Sequence, residues 1–367
     1  MTAVPLPISI VREDGRVERL GEWIHEERRL VLERPGFPLL EPGDHRLAGE
    51  LPWIFWDMCP DGYLGRRLAQ RIPSLALPAD PRLWQASDVL RALALVGADL
   101  AGNLLVGDDS VRAFEAWHFD AREVGVLLAE TLRDALTTGG ASSLGGERPK
   151  LLGSAADGRA YLLKFSPPPT SPQGVRWSDL LRMEAHCARV LTACGVSASH
   201  SQIAVVSGRT TLRIDRYDRF RGRGRAGAAT LFWLAMDRWG DVSLPAPEVM
   251  RRLEVEGLVS AADAETCDRV HAFSAAIGNT DTHLGNYGLL FDAGGRARLA
   301  PIFDVLPMVF APRHDELPDE HVVPRTAPVD ERVAAWVDQL ADEVMEDETI
   351  TEPFREAWLA HLGRSYT

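Results

Sequence analysis

Cysteine is scarce, with four residues in 367: Cys59, Cys187, Cys194 and Cys267. None stands in a CxxC pair, so neither a zinc ribbon nor a disulfide framework is suggested, and buried free thiols are expected. Long apolar runs are absent as well. No stretch reaches the roughly 18–20 residues that span a bilayer, and the opening MTAVPLPISIVREDG has neither a basic start nor an apolar signal core. A cytoplasmic protein without membrane contact is therefore expected. Basic charge is in deficit. Lys and Arg number 40 against 53 Asp and Glu, a formal net charge of -13 that repels a phosphate backbone over most of the surface. The one dense basic segment, RTTLRIDRYDRFRGRGR from Arg209 to Arg225, contains Asp215 and Asp218 as internal partners, so direct nucleic-acid binding is not expected. There is no HExxH pattern and no helix-turn-helix is visible, and the glycine-rich SSLGGERPK has neither the GK[ST] ending of a Walker A loop nor a G-x-G-x-x-G.

What is present is enough apolar residue, 46%, for a large core, and a length that makes two domains or lobes the natural expectation. Residues 1–125 read as a small α/β module: short strands (ISIV, RLVLE), an aromatic stretch with Trp53, Phe55, Trp56 and Tyr63 as core, then a helical pattern in DVLRALALVGADLAGNLLV. Residues 126–225 open with a helix ending near Thr138 and the Gly- and Ser-dense TTGGASSLGGERPK. LLGSAADGRAYLLKF follows as two strands around an Asp157-Gly158 turn. The run PPPTSPQG then separates these strands from a helix, SDLLRMEAHCARVLTACG, with Ser178 as its cap and Gly195 as its stop. SQIAVVSGRTTLRIDRYDR supplies two more strands. Residues 226–367 are mostly helical. The expected class is α+β, and strand, strand, helix, strand, strand before a helical lobe is the order of a protein-kinase-like, two-lobed fold.

The chemistry concentrates in the second half. IGNTDTHLGNYGLLF sets Asp281 five residues before Asn286, the D-x-x-x-x-N spacing of a kinase catalytic loop. Asp304 follows at the end of the apolar RLAPIFDVLP, where a second carboxylate can reach a metal held by Asn286, and a hairpin turning at Gly294-Gly295 should bring the two motifs side by side. Upstream, Lys164 lies inside AYLLKF, where a charge is costly unless paired. Glu184 on the next helix is its expected partner. Gly145 and Gly146 permit close backbone approach to a phosphate, with the hydroxyls of Ser142 and Ser143 beside them.

Together, S-S-L-G-G-E-R-P-K, A-Y-L-L-K-F, the helix of Glu184, I-D-R-Y-D-R, I-G-N-T-D-T-H-L-G-N and L-A-P-I-F-D-V-L-P resemble the HipA-type Ser/Thr kinases of bacterial toxin-antitoxin systems. They run in family order from about Ser142 to Pro307. The ending F-D-V-L-P-M-V-F-A-P-R looks most like the YjjJ-type branch, and C-P-D-G-Y-L-G-R-R-L-A is loosely similar to the family's amino-terminal subdomain. The resemblance implies an ATP- and Mg²⁺-dependent Ser/Thr protein kinase. Asp281 would be catalytic, Asn286 and Asp304 would bind Mg²⁺, and Lys164 would contact ATP phosphate. His283, Asp215, Tyr217 and Asp218 would line the nucleotide site, and Ser143, with Ser142 as neighbour, would be the autophosphorylated residue. A protein substrate is implied, translation factors and aminoacyl-tRNA synthetases being candidates, and any DNA contact would come through an antitoxin partner with a helix-turn-helix. AGAATLFWLAMDRWGDV, Ala226 to Val242, does not match the main toxin branch. Two alternatives stay open: a small-molecule kinase of aminoglycoside-phosphotransferase type, whose loop carries His where Asn279 stands here, and a catalytically silent regulator that grips an antitoxin. A metal hydrolase built on His271, His283, Asp281 and Asp304 lacks a comparable ligand pattern.

Overall fold

The computed structural model describes residues 5–60, 62–116, 150–154, 158–220, 222–292, 296–312, 317 and 330–364. Strands β1 (Leu6–Val11), β2 (Val17–Ile24), β3 (Arg29–Leu32), β4 (Gly43–Arg46) and β5 (Leu104–Val106) form an antiparallel sheet in the order β4-β3-β2-β1-β5. Helices α1 (Trp53–Asp57), α2 (Gly62–Arg71), α3 (Ala86–Val96) and α4 (Asp108–Ala116) accompany it. The single helical pattern expected across 88–106 divides: α3 stops at Val96, and after Gly102 turns the chain at φ +75° the residues Leu104–Val106 pair with β1. Glycine in the left-handed region ends what apolar spacing alone would continue. Trp53 and Phe55 are buried as expected, while Trp56 stacks on Trp233 at 5.6 Å. The side chain of Tyr63 lies outside the described residues.

The second sheet joins β6 (Lys150–Ser154), β7 (Ala160–Phe165), β8 (Ser201–Val206) and β9 (Arg209–Asp215) in the order β6-β7-β9-β8, with helix α5 (Pro172–Ala193) between β7 and β8. The expected strand and helix order is met, but the helix cap is not Ser178. Ser171 accepts a hydrogen bond from the Gly174 N–H at 3.0 Å, Pro172 fits the first turn, and the helix gains two turns out of the presumed loop. Ser178 lies within α5, its Oγ 2.6 Å from Thr210 Oγ1. Gly195, at φ +83°, follows the helix as expected.

A third sheet, β10 (Gly227–Thr230), β11 (Gly288–Phe291) and β12 (Ala297–Leu299), sits among helices α6 (Leu231–Trp239), α7 (Ala246–Val255), α8 (Ala261–Ala276), α9 (Glu331–Glu346) and α10 (Glu352–His361). Strand β10 was not legible, because GAAT has neither alternation nor β-branched weight and exists through its pairing with β11. The hairpins β6–β7 and β11–β12 form as expected, although Asp157, Gly294 and Gly295 fall outside the described residues. So do the helix expected to end near Thr138 and the loop carrying Ser142, Ser143, Gly145 and Gly146.

The arginine-rich segment is a weld between the first module and the second sheet. Asp218, 5% exposed, accepts from Arg216, Arg219 and the Gly102 N–H, while Arg216 and Arg219 also reach Asp99 and the Leu100 carbonyl. Buried in this way, the cations are satisfied internally, as the acidic residues in their midst suggested. All four cysteines are free thiols; Cys187 and Cys267 are buried, Cys59 and Cys194 partly so. Among the described residues, no helix is long and apolar enough to cross a membrane.

Candidate active site

A cavity of about 950 Å³ opens between the second sheet, the loop from Asp281 to Asn286 and the first module. Lys164 reaches it from near the end of β7, paired on one side with Lys150 of β6 and on the other with Leu212 of β9. Its ammonium donates to both carboxylate oxygens of Glu184, at 2.7 and 2.9 Å, and to Asp304 Oδ1 at 2.7 Å. Three charges from three distant parts of the sequence meet there.

The environment divides their titration. Burial alone would lower the Lys164 pKa, but Asp304 and Glu184 outweigh it and hold the ammonium charged. Burial pushes Glu184 up to about 7 against the pull of Lys164. Asp304, whose side chain keeps 37% exposure, is also raised by desolvation, yet Lys164 prevails and keeps it below the usual carboxylate range. A buried Lys–Glu pair with a second, more open carboxylate is a charge arrangement that a purely structural site has little reason to maintain.

Asp304 is held in the left-handed region at φ +59°, a conformation aspartate tolerates better than most residues. The segment before it is fixed by backbone bonds in both directions, Ser199 N–H to the Ile302 carbonyl and Ile302 N–H to the Ser197 carbonyl, each 2.8 Å. Phe303 stacks on Tyr217 with centroids 5.6 Å apart. Opposite, the loop is closed on itself: Asn286 Nδ2 donates to the Asp281 carbonyl at 2.7 Å, and the Asp281 N–H donates to buried Asn279 Oδ1 at 3.0 Å. Gly278, at φ +86°, is required just before this loop, since a Cβ would lie 2.8 Å from Val309 and His361. His283 Nδ1 accepts the Gly285 N–H at 3.0 Å, leaving Nε2 3.6 Å from Asp281 Oδ1.

Of the expected residues, Lys164, Glu184, Asp215, Tyr217, Asp218, Asp281, His283, Asn286 and Asp304 all line this one cavity. Asp215 is engaged by Arg159, Arg213 and His200. Asp218 contributes wall while its carboxylate is taken by the arginines described above. Among the described residues no His, Cys, Asp and Glu cluster has the makings of a metalloenzyme site, and His271 Nδ1 lies 3.2 Å from the Tyr287 hydroxyl. Sequence reasoning did not single out Lys150, Phe303 or the wall supplied by the first module. On that wall Leu64, Arg67, Leu68 and Arg71 share one helical face, a spacing legible in the sequence but without any sign of what it faces. Asp57 was missed too. It accepts from the Thr230 N–H and hydroxyl at 2.6 and 2.7 Å, joining α1 to the start of α6, and burial raises it to about 6.

The HipA-like C-terminal domain model matches residues 142–357, more than half of the chain. The chain belongs to the HipA-like family. The YjjJ-like toxin middle-domain model matches residues 2–115, in line with the branch that the ending at Asp304 suggested. Toxin YjjJ of Escherichia coli (strain K12) is 30% identical over an alignment of 336 residues that covers 85% of this chain and 74% of that protein. Among solved structures, the Shewanella oneidensis MR-1 toxin-antitoxin complex of HipA, HipB and operator DNA aligns with a TM-score of 0.57 at 13% identity, covering 97% of this chain and 94% of that one. That likeness establishes the protein-kinase-like fold of the family. The Helicobacter pylori proinflammatory kinase CtkA aligns at TM-score 0.40 and 11% identity over 60% of this chain and 87% of that one, too distantly to carry an argument.

Proposed function

We propose that this protein is an ATP- and Mg²⁺-dependent Ser/Thr protein kinase of the HipA-like toxin family. The observation that carries the reading is Lys164 held at 2.7 Å by both Glu184 and Asp304 in a cavity that also contains Asp281 and Asn286. The donor set suits a hard cation with oxygen ligands. Asn286 spends its amide hydrogens on the Asp281 carbonyl, which leaves Oδ1 as an acceptor, and Asp304 has Oδ2 beyond the oxygen given to Lys164. Bound Mg²⁺ would supply neutralisation of the β- and γ-phosphate oxygens.

The remaining roles belong to the protein. Lys164, positioned by Glu184, places a fixed positive charge on the nucleotide phosphates in a partly dry cleft where solvent cannot replace it. Asp281, half exposed and oriented by its N–H bond to Asn279, accepts the proton of the acceptor hydroxyl and aligns that oxygen with the γ-phosphorus. Tyr217 and the chain around Asp215 and Asp218 form the nucleotide wall. The acceptor is a protein hydroxyl, and one acceptor is the chain's own Ser143, or Ser142 beside it. Membership in this family, together with a relative solved with HipB and operator DNA, supports an antitoxin partner that carries the DNA contact, and a cytoplasmic setting.

The test is incubation of the pure protein with Mg²⁺ and γ-labelled ATP, followed by peptide mapping, with Asp281→Asn as control. Labelled Ser or Thr in the wild type and none in the variant supports the assignment. Label that is equal in both removes Asp281 from the mechanism, and no label with any protein acceptor favours the silent regulator.

A further inference from the structure

The helix that carries Glu184 is held between the sheet that carries Lys164 and the helical half of the molecule. On the sheet side α5 offers the Ser178–Thr210 bond and Leu181, which clusters with Leu212 and Ile214. Trp177, Leu180, Met183, Cys187, Val190 and Leu191 instead enter the large core that contains Phe273, Val337, Leu340 and Trp358. Helix α9 packs directly against α5, and the shared core extends from there to α8 and α10.

Polar contacts fasten the same face along its whole length. Arg176 donates to the Phe310 carbonyl at 3.3 Å and lies over the Phe354 ring at 5.3 Å. Asp179, 1% exposed, accepts from the Thr351 N–H at 3.0 Å and the Thr351 hydroxyl at 2.7 Å, and so caps α10, whose own N-cap side chain makes no such bond. His186, 6% exposed, lies 2.8 Å from Asp347 and 3.3 Å from Glu343, Arg189 reaches Glu343 at 2.9 Å, and Cys194 contacts Gln339 at 3.4 Å. Asp179 and His186 bracket Glu184 in sequence, five residues before it and two after. Swinging α5 away would strand the buried Asp179 carboxylate and open a helix end, each a substantial penalty.

We propose that the two C-terminal helices α9 and α10 are the positioning element of the site: through Asp179 and His186 they hold Glu184 on Lys164 without nucleotide, so the pair needs no activating event. Asp179 and His186 are positioning residues, and the role assigned to Glu184 rests on the kinase reading above. The geometric claim does not.

Hydrogen exchange of residues 172–193 tests it on the full chain, with and without the non-hydrolysable analogue AMP-PNP and Mg²⁺. In the wild type the protection of α5 is expected to be the same, within about twofold, in both states. In Asp179→Ala the helix should exchange at least tenfold faster without nucleotide and transfer per folded molecule should fall about tenfold, Asp179→Asn recovering part of both. A Leu20→Ala control, which lowers stability from the first sheet, should leave α5 protection and per-molecule transfer unchanged. Wild-type α5 that is unprotected until nucleotide binds overturns the inference, as does full transfer by an Asp179→Ala protein whose α5 has loosened. If no variant transfers phosphate but the exchange pattern holds, the anchoring stands and the kinase reading fails.

Discussion

Replacing Lys164 by Met removes the one cation that compensates Glu184, a side chain only 5% exposed. Asp304 can turn to water through its 37% exposed side chain, but Glu184 cannot. Glu184 is already pushed up to about 7 with the ammonium present, so in the variant it must fold protonated. Protonating at pH 7 a carboxyl whose ordinary value is 4.5 costs about 3 kcal/mol. The wild type, with Glu184 about half protonated at pH 7, carries nearly all of this cost already, so the variant falls behind on this account only as the pH passes 7. The sign follows from the raised value: an acid whose folded pKa lies above its unfolded one is stabilised by binding a proton. Relative to wild type, the deficit from this carboxyl should therefore be flat between pH 5 and 6 and grow by about 1.4 kcal/mol per pH unit once the pH exceeds 7. Calorimetric melting of both proteins at pH 5, 6, 7 and 8 is the assay, and about 2 °C per kcal/mol predicts a gap that widens by roughly 3 °C between pH 6 and pH 8. Lys164→Met with Glu184→Leu removes the stranded carboxylate and should recover most of the loss. A deficit that is the same at pH 5 and pH 8, or a double variant as unstable as the single, would refute the argument.

Asp281→Asn should keep Mg²⁺-dependent nucleotide binding by titration calorimetry while transfer falls at least about a hundredfold, because the acceptor proton loses its base. Lys164→Ala should lower transfer by at least about a hundredfold, measured by label incorporation, and unchanged turnover would place Lys164 outside the mechanism. Ser143→Asp should weaken ATP binding and Ser143→Ala should leave the first transfer intact, since negative charge in a phosphate-cradling loop repels nucleotide; modification found only outside residues 137–150 would end that reading. Asp57, raised to about 6 from 3.8, contributes stability below pH 3.8 that is lost as pH rises through 6. Relative to Asp57→Asn, the wild type should lose at most about 3 kcal/mol between pH 4 and 7.5 in denaturant titrations.

Much of the site was legible because its residues follow a family motif that constrains both residue type and spacing. Asp281, Asn286 and Asp304 stand at fixed intervals around a hairpin, and a lysine inside AYLLKF demands a partner wherever it occurs. The elements that escaped notice are those whose signal is not local. Strand β10 exists because β11 pairs with it, and β5 because Gly102 turns the chain back onto β1. The true start of α5 was hidden by a proline that reads as a breaker in the sequence but occupies the first turn of a helix already capped by Ser171.

By itself the sequence determined the family, the order of strands and helices in the second half of the chain, and the residues that meet around one cavity. Each of these depends on periodicity or spacing over a few tens of residues. Only the tertiary structure decided that Lys164 is shared between Glu184 and Asp304, 20 and 140 residues away. It also decided that Arg216 and Arg219 are held by Asp99 and Asp218, and that the helix of Glu184 is anchored by Thr351, Glu343 and Asp347. The reason is common to all three: a buried charge takes whichever partner the fold brings within about 3 Å, and no local pattern records which one that will be.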